Sequence, residues 1–138
     1  MIALCRRYQF AAAHVLRQPA WSDAENERVY GKCANARGHG HNYGLEVTVT
    51  GPVDPETGRI IEPELLDGIV RRRVLERFGH RMLNEDPLFR DSVPTAENIA
   101  AAAFGELVGE LAGTPQVRLL RVRIVETARN HFDYGEMP

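Results

Sequence analysis

Along residues 43–51 apolar and polar side chains alternate, with Leu45, Val47 and Val49 set against Glu46, Thr48 and Thr50. A period of two predicts a strand with one buried face. Residues 117–127 repeat the pattern: Leu120, Val122 and Ile124 share a face, and Glu126 continues it. Residues 4–13 predict a further strand with less regular alternation. Asp54, Pro55 and Gly58 supply turn chemistry, after which residues 59–61 predict a short return strand. A last short strand is predicted near 132–134. Residues 17–28 are polar, contain Pro19, and read as a loop.

Two stretches change period. After Pro63, which suits a first helical turn, Leu66, Ile69, Val70, Val74 and Phe78 recur at helical spacing, and Gly79 ends the run. Thr95 is placed to cap a second helix, with Glu97 near its positive end. Ile99, Ala103, Leu107 and Leu111 form its apolar stripe, and Gly113 and Pro115 stop it. The order strand, strand, helix, helix, strand predicts an α+β fold, an antiparallel sheet with two helices on one face.

At 138 residues the chain fits a single domain over 1–138. Its net charge of -2 disfavours a nucleic-acid partner. Two cysteines, Cys5 and Cys33, without paired spacings suit a reducing cytoplasm. In the N-terminal segment the basic residues follow a short apolar stretch, the reverse of a secretory signal. No apolar run approaches the ~20 residues of a membrane span. The run Arg71-Arg72-Arg73 reads as a solvated helix face.

The sharpest chemical signal is Gly38-His39-Gly40-His41. In extended backbone residues i and i+2 point the same way, so two imidazoles face one ion. Imidazole suits zinc, and a catalytic zinc takes three protein ligands plus an open position. His14 closes the first strand and is the expected third ligand. Cys33, six residues before His39, carries three readings: an inert buried thiol, a fourth ligand closing a structural zinc site, or a thiolate base favoured by a nearby cation. Glu126 ends an apolar strand face, where a lone carboxylate is costly. It either pairs with an arginine or accepts two parallel N–H bonds from an amino-pyrimidine edge, with Thr127 beside it.

The segments Phe10-Ala11-Ala12-Ala13-His14, Val29-Tyr30-Gly31-Lys32-Cys33, Asn35 through Tyr43, His80 with Leu83-Asn84, Pro94-Thr95-Ala96-Glu97-Asn98 and Val125-Glu126-Thr127 stand in a specific order. In that order the chain resembles the 6-pyruvoyl-tetrahydropterin synthase family, which includes the bacterial 6-carboxytetrahydropterin synthases. The resemblance implies a tunnelling fold, in which sheets of three subunits close a barrel and two trimers stack as a hexamer. It implies Zn2+ held by His14, His39 and His41, with Cys33 as base and His80 in its proton relay. It also implies a pterin ring anchored by Glu126, with Thr95 and Thr127 nearby. The implied reaction converts 7,8-dihydroneopterin triphosphate to 6-pyruvoyl-tetrahydropterin with loss of triphosphate. The six-residue step from Cys33 to His39 leans toward this pyruvoyl-forming branch over the carboxy-forming one, which also releases acetaldehyde.

One departure bears on catalysis. Gly79 stands where the family carries an aspartate beside the histidine, leaving Glu76 or Asp86 as substitutes, or a pterin binder with weakened activity. Glu62 also opens the first helix where the family favours a better cap.

Overall fold

A computed structural model describes residues 1–137. Four strands, β1 (Ala3–His14), β2 (His39–Thr50), β3 (Arg118–Thr127) and β4 (Asn130–Gly135), form one antiparallel sheet in the order β1-β2-β3-β4. The expected α+β class and antiparallel sheet are present. Helix α1 spans Asp23–Tyr30, α2 spans Pro63–Val70, and α3 spans Ala96–Leu111. Helix α2 runs on through a π turn, Arg71–Leu75, and a final α-helical turn, Glu76–Phe78.

Strand alternation sets the two faces of the sheet. Tyr43, Leu45, Val47 and Val49 of β2, with Phe10 of β1 and Val122 and Ile124 of β3, are buried against the helices. Facing them are Leu66, Ile69, Val70, Val74 and Phe78, then Ile99, Ala103, Leu107 and Leu111. Each such side chain contributes about 1.5–3 kcal/mol on full burial. The opposite face is charged. Arg7, Glu46, Arg123 and Asp133 are successive register partners across all four strands, so charge alternates along one row. Arg123 and Asp133 meet at 2.7 Å.

Three expectations need correction. The 17–28 stretch is not all loop, because α1 begins at Asp23. Ser22 caps it, its hydroxyl accepting from the Glu25 N–H at 3.1 Å. Ser22-Asp23-Ala24-Glu25 carries the spacing of a capping box. Residues 59–61 form no strand: the Asp54 N–H donates to the Arg59 carbonyl at 2.9 Å and closes a loop instead. Strand β2 begins at His39 rather than 43, because the histidines extend its alternation.

Other readings hold. Thr95 caps α3 through the Asn98 N–H, and Glu62 opens α2 without a capping bond of its own. Arg72 and Arg73 are exposed and reach Glu110 of α3 at 3.2 and 2.7 Å, tying a solvated face to its neighbour.

Candidate active site

The β1–β2 register sets His14 opposite His39, and His41 lies two residues further along the same face. His14 is fully buried. Its Nδ1 donates to the Pro94 carbonyl at 2.8 Å. A carbonyl only accepts, so Nδ1 carries the proton and Nε2 presents a lone pair. That Nε2 lies 3.0 Å from His39 Nε2. One ligand nitrogen from each of the three histidines falls within 4.8 Å of the others. Burial lowers His14 to about 4, and burial followed by the His41 charge lowers His39. Both are therefore neutral near pH 7, the form that binds a metal.

Two nitrogens of this cluster, His39 Nδ1 and His41 Nε2, are buried without a hydrogen-bond partner. Such orphaned groups are expensive unless something satisfies them. Three imidazoles with an open side are a donor set that suits zinc. The residues present thus fit a resident cation.

Cys33 sits in a 3₁₀ turn, Gly31–Ala34, anchored where its carbonyl accepts from the Leu16 N–H at 2.8 Å. It does not belong to the metal-holding group of three histidines. A closed structural site with a fourth thiolate ligand is therefore not what the geometry presents. Burial pushes the Cys33 thiol up, and the neighbouring Glu126 charge adds to that. The cation expected to lower it is supplied by no side chain here.

Glu126 is half-buried at the end of β3 and makes no ion pair among the described residues. The arginine-paired reading of this carboxylate is not realised. Thr127 lies on the other side of the strand, where its hydroxyl donates to Asn130 Oδ1 at 2.5 Å and serves the β3–β4 turn. Thr95 caps α3 directly after Pro94, whose carbonyl holds His14.

His80 is exposed, takes a left-handed backbone (φ 59°), and is pinned where its N–H donates to the Ala11 carbonyl at 2.6 Å. It shares a cavity of about 420 Å³ with His41, Arg81 and Met82. Neither suggested acid serves it. Asp86 is held by Arg77 through two bonds of 2.8 Å, and Glu76 pairs with Arg71 at 3.6 Å. Nor is there room for an aspartate at position 79 in this backbone: a Cβ there would stand 2.5 Å from the Leu75 carbonyl oxygen.

Two supports of the site carry no sequence-level role. Tyr43 extends the His39–His41 face by one more step and is fully buried. Asn84 clamps the residue after His14, accepting from the Val15 N–H and donating to its carbonyl at 2.8 Å each. The same-face spacing was a usable signal for Tyr43; nothing local marks the Asn84 contact.

The sequence profile described as 6-pyruvoyl tetrahydropterin synthase matches residues 3–137. The chain is 39% identical over 132 residues to 6-pyruvoyl tetrahydrobiopterin synthase of Drosophila melanogaster, covering 95% of this chain and 77% of that one. It is 38% identical over 130 residues to the human protein of the same name, covering 94% and 88%. The solved structure of Caenorhabditis elegans 6-pyruvoyl tetrahydropterin synthase superposes with a TM-score of 0.89 at 36% identity, covering 99% of this chain and 96% of that one. The chain belongs to the 6-pyruvoyl tetrahydropterin synthase family.

Proposed function

We propose that this chain is a zinc-dependent lyase that converts 7,8-dihydroneopterin triphosphate to 6-pyruvoyl-tetrahydropterin and expels triphosphate. The observation that carries the reading is the convergence of three imidazoles whose ligand nitrogens lie within 4.8 Å of one another. The names of the relatives at 38–39% identity support the pyruvoyl-forming branch.

In this reading His14, His39 and His41 hold the zinc. A zinc ion held there would supply Lewis-acid polarisation of the substrate's side-chain hydroxyls, which would acidify the adjoining C–H. Glu126 accepts two N–H bonds from the pterin's amino-pyrimidine edge, a charge-assisted bidentate contact. Cys33, as thiolate, takes the proton from the side-chain carbon. His80, on the cavity it shares with His41, returns a proton to the product side. Thr95 borders the pterin, and Thr127 reaches it only through its backbone, because its hydroxyl serves the β3–β4 turn. A second reading, a pterin-binding homologue of weakened activity, is favoured by one observation: His80 has no carboxylate partner among the described residues.

Assembly follows from the sheet. An even number of antiparallel strands leaves edge strands β1 and β4 running in opposite directions. The β4 edge of one copy can therefore pair antiparallel with β1 of the next, and closure into a barrel removes both exposed edges. We take the enzyme to be a homohexamer of two stacked trimers. Among the described residues no helix is long and apolar enough to cross a membrane. Two free cysteines support a cytoplasmic location.

The test is metal removal and return. Chelator-treated protein should lose turnover of dihydroneopterin triphosphate and regain it with one equivalent of zinc per chain. Full turnover without metal would refute the zinc assignment.

A further inference from the structure

Tyr43 is a polar residue set in the middle of an apolar core. It is fully buried, and its ring stacks on Phe10 with centroids 5.1 Å apart. If packing were its whole purpose, phenylalanine would serve better, because a buried hydroxyl costs about 1–3 kcal/mol unless it is bonded. Its oxygen lies 3.2 Å from His14 Nδ1. That nitrogen already donates its one proton to the Pro94 carbonyl. The Tyr43 oxygen therefore receives the second arm of a forked bond, and its own proton remains free to donate.

The strand explains how Tyr43 arrives there. His39, His41 and Tyr43 occupy alternate positions of β2 and share its buried face. The Tyr43 ring lies 5.3 Å from His41 and 6.1 Å from His14, centroid to centroid. One strand face thus carries two candidate ligands and a group that touches the third.

We propose that Tyr43 is a positioning residue for the metal centre. Together with the Pro94 carbonyl, its hydroxyl fixes His14 as the Nδ1–H tautomer and aims Nε2 at His39 and His41. Partners behind a metal ligand commonly matter this way, and losing one weakens metal affinity about 10- to 100-fold. The inference rests on the reading of the three histidines as a zinc site.

The experiment compares wild type with Tyr43→Phe, which keeps the ring and its stacking. Zinc affinity is measured by competition with a chromogenic chelator, and the melting temperature of each metal-free protein is recorded. The variant should bind zinc about tenfold or more weakly while the metal-free proteins melt within a few degrees of one another. Equal zinc affinity would overturn the proposal. A wild-type protein that binds no zinc would remove the metal reading and the inference with it, an outcome distinct from equal affinity. Should the variant fail to fold, 1H–15N NMR of the wild-type protein decides: a nuclear Overhauser contact between the Tyr43 hydroxyl proton and the His14 Nδ1–H upholds the proposal, and an Nε2–H tautomer at His14 or a Tyr43 hydroxyl in fast exchange with solvent overturns it.

Discussion

His14 and His39 are register partners on β1 and β2, and their Nε2 atoms face each other at 3.0 Å. The contact has a pH consequence for the metal-free protein. Burial lowers His14 from 6.5 to about 4, so the unfolded chain takes up this proton first as pH falls. The folded state keeps its full stability above pH 6.5 and loses some progressively down to about 4. The loss from this residue is on the order of 3 kcal/mol. Urea unfolding of chelator-treated protein at several pH values checks this. Stability independent of pH between 7 and 4.5 would contradict the burial of a neutral His14.

Glu126 makes no ion pair among the described residues, so neutralising it should spare the fold. Glu126→Gln should weaken pterin binding about 10- to 100-fold, the scale of a hydrogen bond to a charged group. The melting temperature should stay near that of wild type. Calorimetric titration with a pterin and a thermal melt together check this. A large stability loss with unchanged affinity would assign the carboxylate to the fold.

Gly79 has ordinary dihedral angles (φ -63°, ψ 130°), so its requirement is space rather than backbone freedom. A Cβ would meet the Leu75 carbonyl oxygen at 2.5 Å, in the same turn where the Gly79 N–H donates to that oxygen. Gly79→Ala should therefore destabilise the protein by about 1–3 kcal/mol, the usual scale of overpacking. Gly79→Asp should lose at least as much. An unchanged melting temperature in Gly79→Ala would show that the α2 terminus relaxes freely and leaves room for the family's aspartate.

The edge strands give a prediction of their own. Light scattering should report a hexamer at micromolar concentration, and Pro substitutions in the exposed part of β1 should shift it toward smaller species by removing donors from the edge. A wild-type monomer across that range would contradict closure of the sheet between copies.

Much of this molecule was legible because its strands and long helices obey their periods. Residues 45–49 and the α3 stripe declare themselves by alternation and helical spacing. Helix α1 does not, because its one buried residue is Asn26 rather than an apolar stripe. Only the Ser22–Glu25 spacing marks it. Strand β2 starts before the clean apolar alternation for a related reason: His39 and His41 continue the buried face with polar side chains, which the hydrophobic pattern alone does not register. Within the site, the histidines stand out as chemistry. The Pro94 carbonyl that sets the His14 tautomer lies 80 residues away along the chain, and no local signal encodes that contact. The loop position of His80 and the engagement of Asp86 by Arg77 likewise depend on tertiary placement.

With zinc on His14, His39 and His41, this chain should perform the lyase reaction itself. Incubating the zinc-loaded protein with 7,8-dihydroneopterin triphosphate, and following pterins and released phosphate by mass spectrometry, tests it most directly. The expected products are 6-pyruvoyl-tetrahydropterin and one equivalent of inorganic triphosphate. Unconverted substrate, or 6-carboxytetrahydropterin together with acetaldehyde, would contradict it.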